Sequence, residues 1–158
     1  MSKENVVVGG GPAGIEAARE AVKLGLGVTL VSAGPVGGRA GWHSLLPSKV
    51  WLAAAEAVQE AAALSPDGAA PWGPKNILAR LAEVKQGWNA QARQELDALG
   101  VPVLSGTASF AAPNLLRVRD GEGGVFAACC VTPVIVASGS VPVFPRGVMP
   151  DGGRVIAP

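Results

Sequence analysis

Gly9, Gly11 and Gly14, set within Gly9-Gly10-Gly11-Pro12-Ala13-Gly14, are the residues of this chain whose types and spacing most directly imply chemistry. In a G-x-G-x-x-G run the first glycine permits a tight turn. The second lets the backbone approach a pyrophosphate, and the third lets a helix pack closely on a strand. Pro12 and Ala13 would then open a helix whose free N–H groups and positive dipole end face the phosphates. The motif carries that meaning only where it leaves a strand and enters a helix. Here residues 5–8 are a β-branched run read as a buried parallel strand. Residues 12–25 carry an apolar stripe through Ile15, Ala18, Ala21 and Val22 that ends at Gly25, and 28–31 read as a second strand. Strand, glycine turn, helix and strand within about 30 residues form a βαβ unit, which predicts a parallel sheet.

The second strand of such a unit ordinarily ends in an acid that holds the ribose hydroxyls. This one ends in Ser32, a single hydroxyl without the two-point anionic acceptor. The expectation is weaker affinity for an adenine dinucleotide, or compensation from another residue. With Arg39 nearby, the missing acid also fits a 2′-phosphate, which keeps an NADP reading of this motif open.

The remaining elements must position that turn. Residues 33–47 read as a glycine-rich loop, and 48–64 as an Ala-rich helix with Ser48 as its N-cap. Residues 65–74 read as a linker between helices, and 75–99 as a long amphipathic helix stopped by Gly100. Residues 101–104 follow as a third parallel strand. Turns at Pro113-Asn114 and at 120–124 then punctuate three short strands, the last over 126–131, which suggests a small antiparallel meander. Residues 134–137 close the pattern as a final buried strand ending at Ser138-Gly139-Ser140. The fold class expected is α/β: a Rossmann-like, dinucleotide-binding fold with a parallel sheet flanked by helices and an added β-meander.

Composition narrows the function classes. One domain over 1–158 is the natural expectation for 158 residues, and 49% hydrophobic content suffices for a core. Thirteen basic against twelve acidic residues leave a net charge of +1, which argues against a nucleic-acid partner. The 22 glycines and 13 prolines follow no collagen-like period and read as tight turns. The start of the chain has no signal-peptide pattern, and 125–145 is too broken by polar residues and prolines to span a membrane. A soluble cytoplasmic protein is expected. Cys129 and Cys130, adjacent in a strand, would face opposite sides and read as small buried hydrophobes, with no metal site. His43 is the only histidine and has no neighbouring acid or thiol to orient it. Trp42, Trp51, Trp72 and Trp88 read as packing residues, Trp88 on the apolar stripe of its helix.

Two further segments carry a family resemblance. Gly37-Gly38-Arg39-Ala40-Gly41-Trp42-His43-Ser44-Leu45-Leu46-Pro47-Ser48-Lys49 resembles the active-site segment G-G-T-C-x-x-x-G-C-x-P-S-K of the pyridine nucleotide-disulphide oxidoreductases. Val134-Ile135-Val136-Ala137-Ser138-Gly139-Ser140-Val141-Pro142 resembles that family's second cofactor-contacting strand end, I-I-A-T-G-S-x-P. With the opening glycines, three motifs stand in the family's order over nearly the whole chain. The resemblance implies an FAD-binding domain in which Gly9, Gly11 and Gly14 serve the pyrophosphate and Gly37 and Gly38 line the cofactor. Ser48 and Lys49 would stand near the flavin, Lys49 as the catalytic cation at the N5 edge. Ser138 and Gly139 would let the backbone approach the dinucleotide.

The departures shape the expected function. The family's two redox cysteines fall at Ala40 and Leu45, so no dithiol relay can run here, and Ser32 stands where the family has its ribose-binding glutamate. The family's nicotinamide-binding domain would begin near Pro158. The first reading is therefore the flavin half of an oxidoreductase passing electrons from NAD(P)H to a non-disulphide acceptor, with the nicotinamide site on another domain or subunit. The alternative is a non-catalytic module that binds a dinucleotide or a protein partner. The high mean hydropathy, +0.34, fits apolar surface awaiting such a partner or a second copy of the chain.

Overall fold

The computed structural model describes residues 4–64 and 73–154, with the side chains of 4 and 126–132 outside the description. Residues 65–72 of the linker expected over 65–74, Trp72 among them, and the surroundings of Cys129 and Cys130 therefore lie outside the described residues.

Six strands form one sheet in the order β3-β2-β1-β6-β5-β4. β1 (Glu4–Val8), β2 (Val28–Ser32), β3 (Val103–Ser105) and the second half of β6 (Val125–Val136) run parallel. β4 (Thr107–Ala112) and β5 (Leu115–Arg119) pair antiparallel, and β5 pairs antiparallel with the first half of β6. The two expected strands at 126–131 and 134–137 are thus one long strand. Pro133 falls where the pairing with β1 shifts register between Glu4 and Val6, and such an irregularity is where a strand tolerates proline.

Helix α1 (Pro12–Lys23) leads from β1 to β2 with proline at its first turn, and its chain leaves through Gly25 at φ +76°. The segment expected as a loop contains a five-residue helix, α2 (Gly38–Trp42). Helix α3 (Leu45–Leu64) begins three residues before the expected start. Ser48 is inside it, its amide bonded to the Ser44 carbonyl at 3.2 Å and its hydroxyl to the Leu45 carbonyl at 2.8 Å, so it does not cap. Pro47 is tolerated because an amide in the first turn has no intrahelical acceptor. Helix α4 (Pro74–Ala98) then returns to the sheet and ends at Gly100, φ +70°.

Alternation along β1 and β2 divides the core between two faces. Val7 and Leu30 face α1 and α4, meeting Ile15, Ala18, Ala92 and Leu96. Val6 and Val31 face the other way and meet Leu116 and Val118 of β5. The meander therefore covers one face of the parallel sheet while the helices cover the other. Arg19 of α1 bonds Glu16 and reaches Glu95 of α4 at 2.9 Å; the Glu16 hydrogen bond is the first cause holding its guanidinium pKa above the ordinary value. By contrast, α3 has no buried residue, and Leu45, Trp51, Leu52 and Leu64 are exposed on it. No helix among the described residues is long and apolar enough to cross a membrane.

Candidate functional site

The carboxyl ends of the parallel strands meet around one open cleft of about 870 Å³. Val8-Gly9 ends β1, Ser32 ends β2, Gly106 follows β3, and Ala137-Ser138-Gly139 follows β6, all of them lining it. The strand order reverses beside β1, with β2 on one side and β6 on the other, and such a switch point is where open α/β sheets bind ligands.

Two close approaches hold the glycine turn in shape. Gly9 has φ +121°, and a side-chain carbon there would collide with the Ala137 carbonyl, which lies where β6 comes alongside β1. Its amide donates to the Val31 carbonyl at 2.8 Å, and the Ala137 amide donates to the Val8 carbonyl at 2.7 Å. Gly14 is buried with no room for a side chain against the Gly9 carbonyl, so it is the point at which α1 seats on the turn. Gly11 differs: a side chain there would meet nothing within 4 Å, so its exposed face is turned to open space. It is the N-cap of α1, with no side chain capping that end. The N–H groups of the first turn, lacking intrahelical acceptors, are left as donors.

The second wall is α2. Gly37 and Gly38 have φ +105° and +56°, and the Gly37 amide donates to the Gly10 carbonyl at 2.8 Å. Gly38 packs so tightly on Gly11 that an added carbon would stand 2.7 Å from the Gly11 Cα. Arg39, Ala40, Trp42, His43 and Ser44 extend this wall of the cleft. Arg39 reaches across to the Ser140 carbonyl at 3.4 Å, and Trp42 Nε1 donates to the Val36 carbonyl at 3.1 Å. Ser32 is 5% exposed, and its hydroxyl donates to the Gly34 carbonyl at 2.8 Å. Its proton is thus committed to the turn, and its lone pairs remain available as acceptors toward the cleft.

Of the residues singled out from sequence, the cleft brings together Gly9, Gly11, Pro12, Ala13, Ser32, Gly38, Arg39, Ser138 and Gly139. Gly14 and Gly37 act one step behind the surface, through packing. Ser48 and Lys49 lie along α3; Lys49 borders a separate cavity of about 650 Å³ between α3 and α4, with Val50, Ala53, Asn76 and Arg80. His43 lines the cleft, with no acid among its lining neighbours. Sequence reasoning missed Gly106, Thr107 and Ala108, although the end of a third parallel strand is where cleft residues are expected. It also missed that Trp88 packs on Gly37 and Gly41, a relation between α4 and α2 that no local pattern signals. Among the described residues no cluster of three His, Cys, Asp or Glu suits a metal ion.

A family model described as pyridine nucleotide-disulphide oxidoreductase matches residues 3–156. The chain belongs to that family. Its region corresponds to the family's FAD-binding domain, the family being one of flavoprotein oxidoreductases. Dihydrolipoyl dehydrogenase 2 of Haloarcula marismortui is 31% identical over 159 residues, which take in 98% of this chain and 34% of that protein. Dihydrolipoyl dehydrogenase of Halobacterium salinarum is 33% identical over 142 residues, covering 87% of this chain and 30% of the relative. The crystal structure of LpdA from Mycobacterium tuberculosis superposes with a TM-score of 0.80 at 26% identity, over 98% of this chain and 36% of that one. The flavoprotein disulphide reductase RclA from Escherichia coli shares the fold, with a TM-score of 0.75, 22% identity and coverage of 92% and 31%. The chain thus spans about a third of the length of the relatives it matches. For this flavoprotein family the parallel sheet, its helices and the antiparallel strands are as expected from sequence.

Proposed function

We propose that this FAD-binding domain holds FAD in the glycine cleft and forms the flavin-bearing part of an NAD(P)H oxidoreductase whose acceptor is not a disulphide. The observation that carries the reading is the convergence of Gly9, Gly11, Gly38 and Gly139 on the uncapped N-terminus of α1. Side chains are missing where a pyrophosphate would need backbone contact, and Gly11 in particular has open space before it. The residues fit the group. Gly11 and the first turn of α1 would hold the pyrophosphate, with Ser138 and Gly139 facing it across the cleft. Ser32 would accept from a ribose hydroxyl, and Arg39 would offset phosphate charge.

When bound, the flavin would supply two-electron chemistry between a nicotinamide donor and the acceptor. Ala40 and Leu45 carry no thiol, so the two positions of the family's redox pair cannot store the electrons as a dithiol. The finer assignment is Lys49, as the cation that offsets negative charge on the reduced ring; its position beside the α3–α4 cavity makes this a separate test from binding. The nicotinamide site would come from another domain or subunit, which accords with the exposed Leu45, Trp51 and Leu52 on α3 and with the exposed Val141 at the edge of the cleft and Val143 after it.

A second reading, a non-catalytic dinucleotide- or partner-binding module, is favoured by one observation: β2 ends in Ser32, whose neutral hydroxyl supplies no anionic ribose acceptor. A visible spectrum after incubation with FAD and desalting separates the two. A retained flavin band that NADH bleaches, once the nicotinamide-binding part is supplied, supports the enzyme. A retained band that NADH never bleaches under those conditions supports the module, and no band at all rejects flavin binding.

A further inference from the structure

We propose that Trp88 is a positioning residue for the cleft: its indole wedges α2 against the glycine turn and so sets how tightly the cleft holds a dinucleotide. The inference deepens the flavin-binding reading and takes its ligand from it. Trp88 lies on α4 and does not line the cleft. A side-chain carbon on Gly37 would stand 2.7 Å from its Cδ1 and 2.8 Å from its Nε1; one on Gly41 would stand 3.0 and 3.1 Å from the same atoms. Residues four apart share a helix face, so Gly37 and Gly41 form one notch, and the edge of the indole fills it.

The opposite side of this segment is equally close. Gly38 leaves no room for a carbon against the Gly11 Cα, and the Gly37 amide is bonded to the Gly10 carbonyl. Contact therefore runs from Trp88 through Gly37 and Gly41 to Gly38 and on to Gly11, the N-cap of α1. A five-residue helix cannot hold itself, because nucleation costs more than so few bonds return. Its place must come from what it touches on either side. Trp88 is 45% exposed, so it contributes little as a core residue; what it does contribute is the wedge. Arg39, Ala40, Trp42 and His43 ride on α2 and its end, so a loosened α2 carries a wall of the cleft with it.

If only a fraction of molecules has α2 seated, affinity falls by that fraction. Trp88→Ala should weaken FAD binding by about tenfold, corresponding to one molecule in ten being competent. Amide exchange should accelerate by a similar factor at Gly41, His43 and Ser44, whose N–H groups bond the Gly37 and Arg39 carbonyls, and not in β1. Trp88→Phe should recover most of both. Gly41→Ala should weaken binding in the wild-type background, because its new carbon pushes on the indole, and do nothing more once Trp88 is alanine. Trp51→Ala, on exposed α3, should leave affinity unchanged. Unaltered α2 exchange in Trp88→Ala, or additive effects of the two substitutions, would overturn the proposal. If Trp88→Ala loses its circular dichroism, Gly41→Ala decides alone, and normal exchange in that variant rejects the wedge. If the wild-type chain binds no FAD, the cofactor reading fails, while the exchange comparison still decides the role of Trp88.

Discussion

Ser32 and Gly10 are fitted to one another: a side-chain carbon on Gly10 would stand 2.8 Å from the Ser32 Cβ and collide with its hydroxyl. The glycine turn can cross the end of β2 only because Gly10 has no side chain there. Gly10 is the unspecified second position of G-x-G-x-x-G, so the requirement comes from its neighbour and not from the motif. Gly10→Ala should cost about 1–3 kcal/mol through overpacking. Combining it with Ser32→Gly should remove most of that cost. Urea unfolding of the two single variants and the double gives the coupling directly, and strictly additive values would contradict the contact.

The same serine governs the ribose end of the cleft. Ser32→Glu restores a two-point anionic acceptor, and hydrogen bonds to a charged group are worth about 1.5–3 kcal/mol. FAD should then bind at least about tenfold more tightly in a fluorescence titration. Ser32→Ala should change affinity far less and lower stability by about 1 kcal/mol, through the lost bond to the Gly34 carbonyl. Equal affinities for all three proteins would show that the ribose does not lie at Ser32.

Gly9 and Gly11 should separate folding from binding. Gly9→Ala forces a left-handed backbone and a collision with the Ala137 carbonyl, so it should destabilise by about 2–3 kcal/mol or more. Gly11→Ala meets only open space and should cost no more than about 1 kcal/mol as a poorer N-cap. Its methyl group would nevertheless stand where a pyrophosphate needs the backbone, so FAD binding should weaken by about tenfold or more. Thermal melting and FAD titration of the pair should therefore rank them in opposite orders relative to wild type.

Arg39 and Lys49 lie in different cavities and should answer to different measurements. Arg39→Met should weaken FAD binding about twofold to fivefold, the range of a solvated charge interaction, and less so at high salt. Lys49→Met should leave affinity within about twofold and make the bound flavin harder to reduce, because a cation near the ring favours its anionic reduced form. A potentiometric titration with the midpoint unmoved would remove Lys49 from the chemistry.

The apolar surface of α3 predicts association. With Trp51 41% and Leu52 54% exposed, the chain should show concentration-dependent self-association by sedimentation. Replacing both by glutamine should restore a monomer with stability changed by about 0.5 kcal/mol or less, as for other surface sites. A chain that is strictly monomeric at high concentration before any substitution would argue against a covered α3.

What the sequence determined by itself was local or periodic. Residues 5–8, 12–25 and 28–31 announced β1, α1 and β2 because β-branched runs, a 3.6-residue stripe and flanking glycines each act within one element. The three family motifs were legible for the same reason, since backbone approach to a ligand demands glycine whatever lies elsewhere. Tertiary structure decided what depends on partners far along the chain. It made one strand of the pieces on either side of Pro133, which falls at a register shift against β1, where a strand tolerates proline. It built α2 in a stretch read as loop, because Trp88, some fifty residues later in the chain, fills the notch between Gly37 and Gly41. It also set Lys49 beside the α3–α4 cavity, since the helix starts at Leu45 and Ser48 bonds within it rather than capping it. Motif spacing fixes which residues are near in sequence; only packing fixes which of them share a cleft.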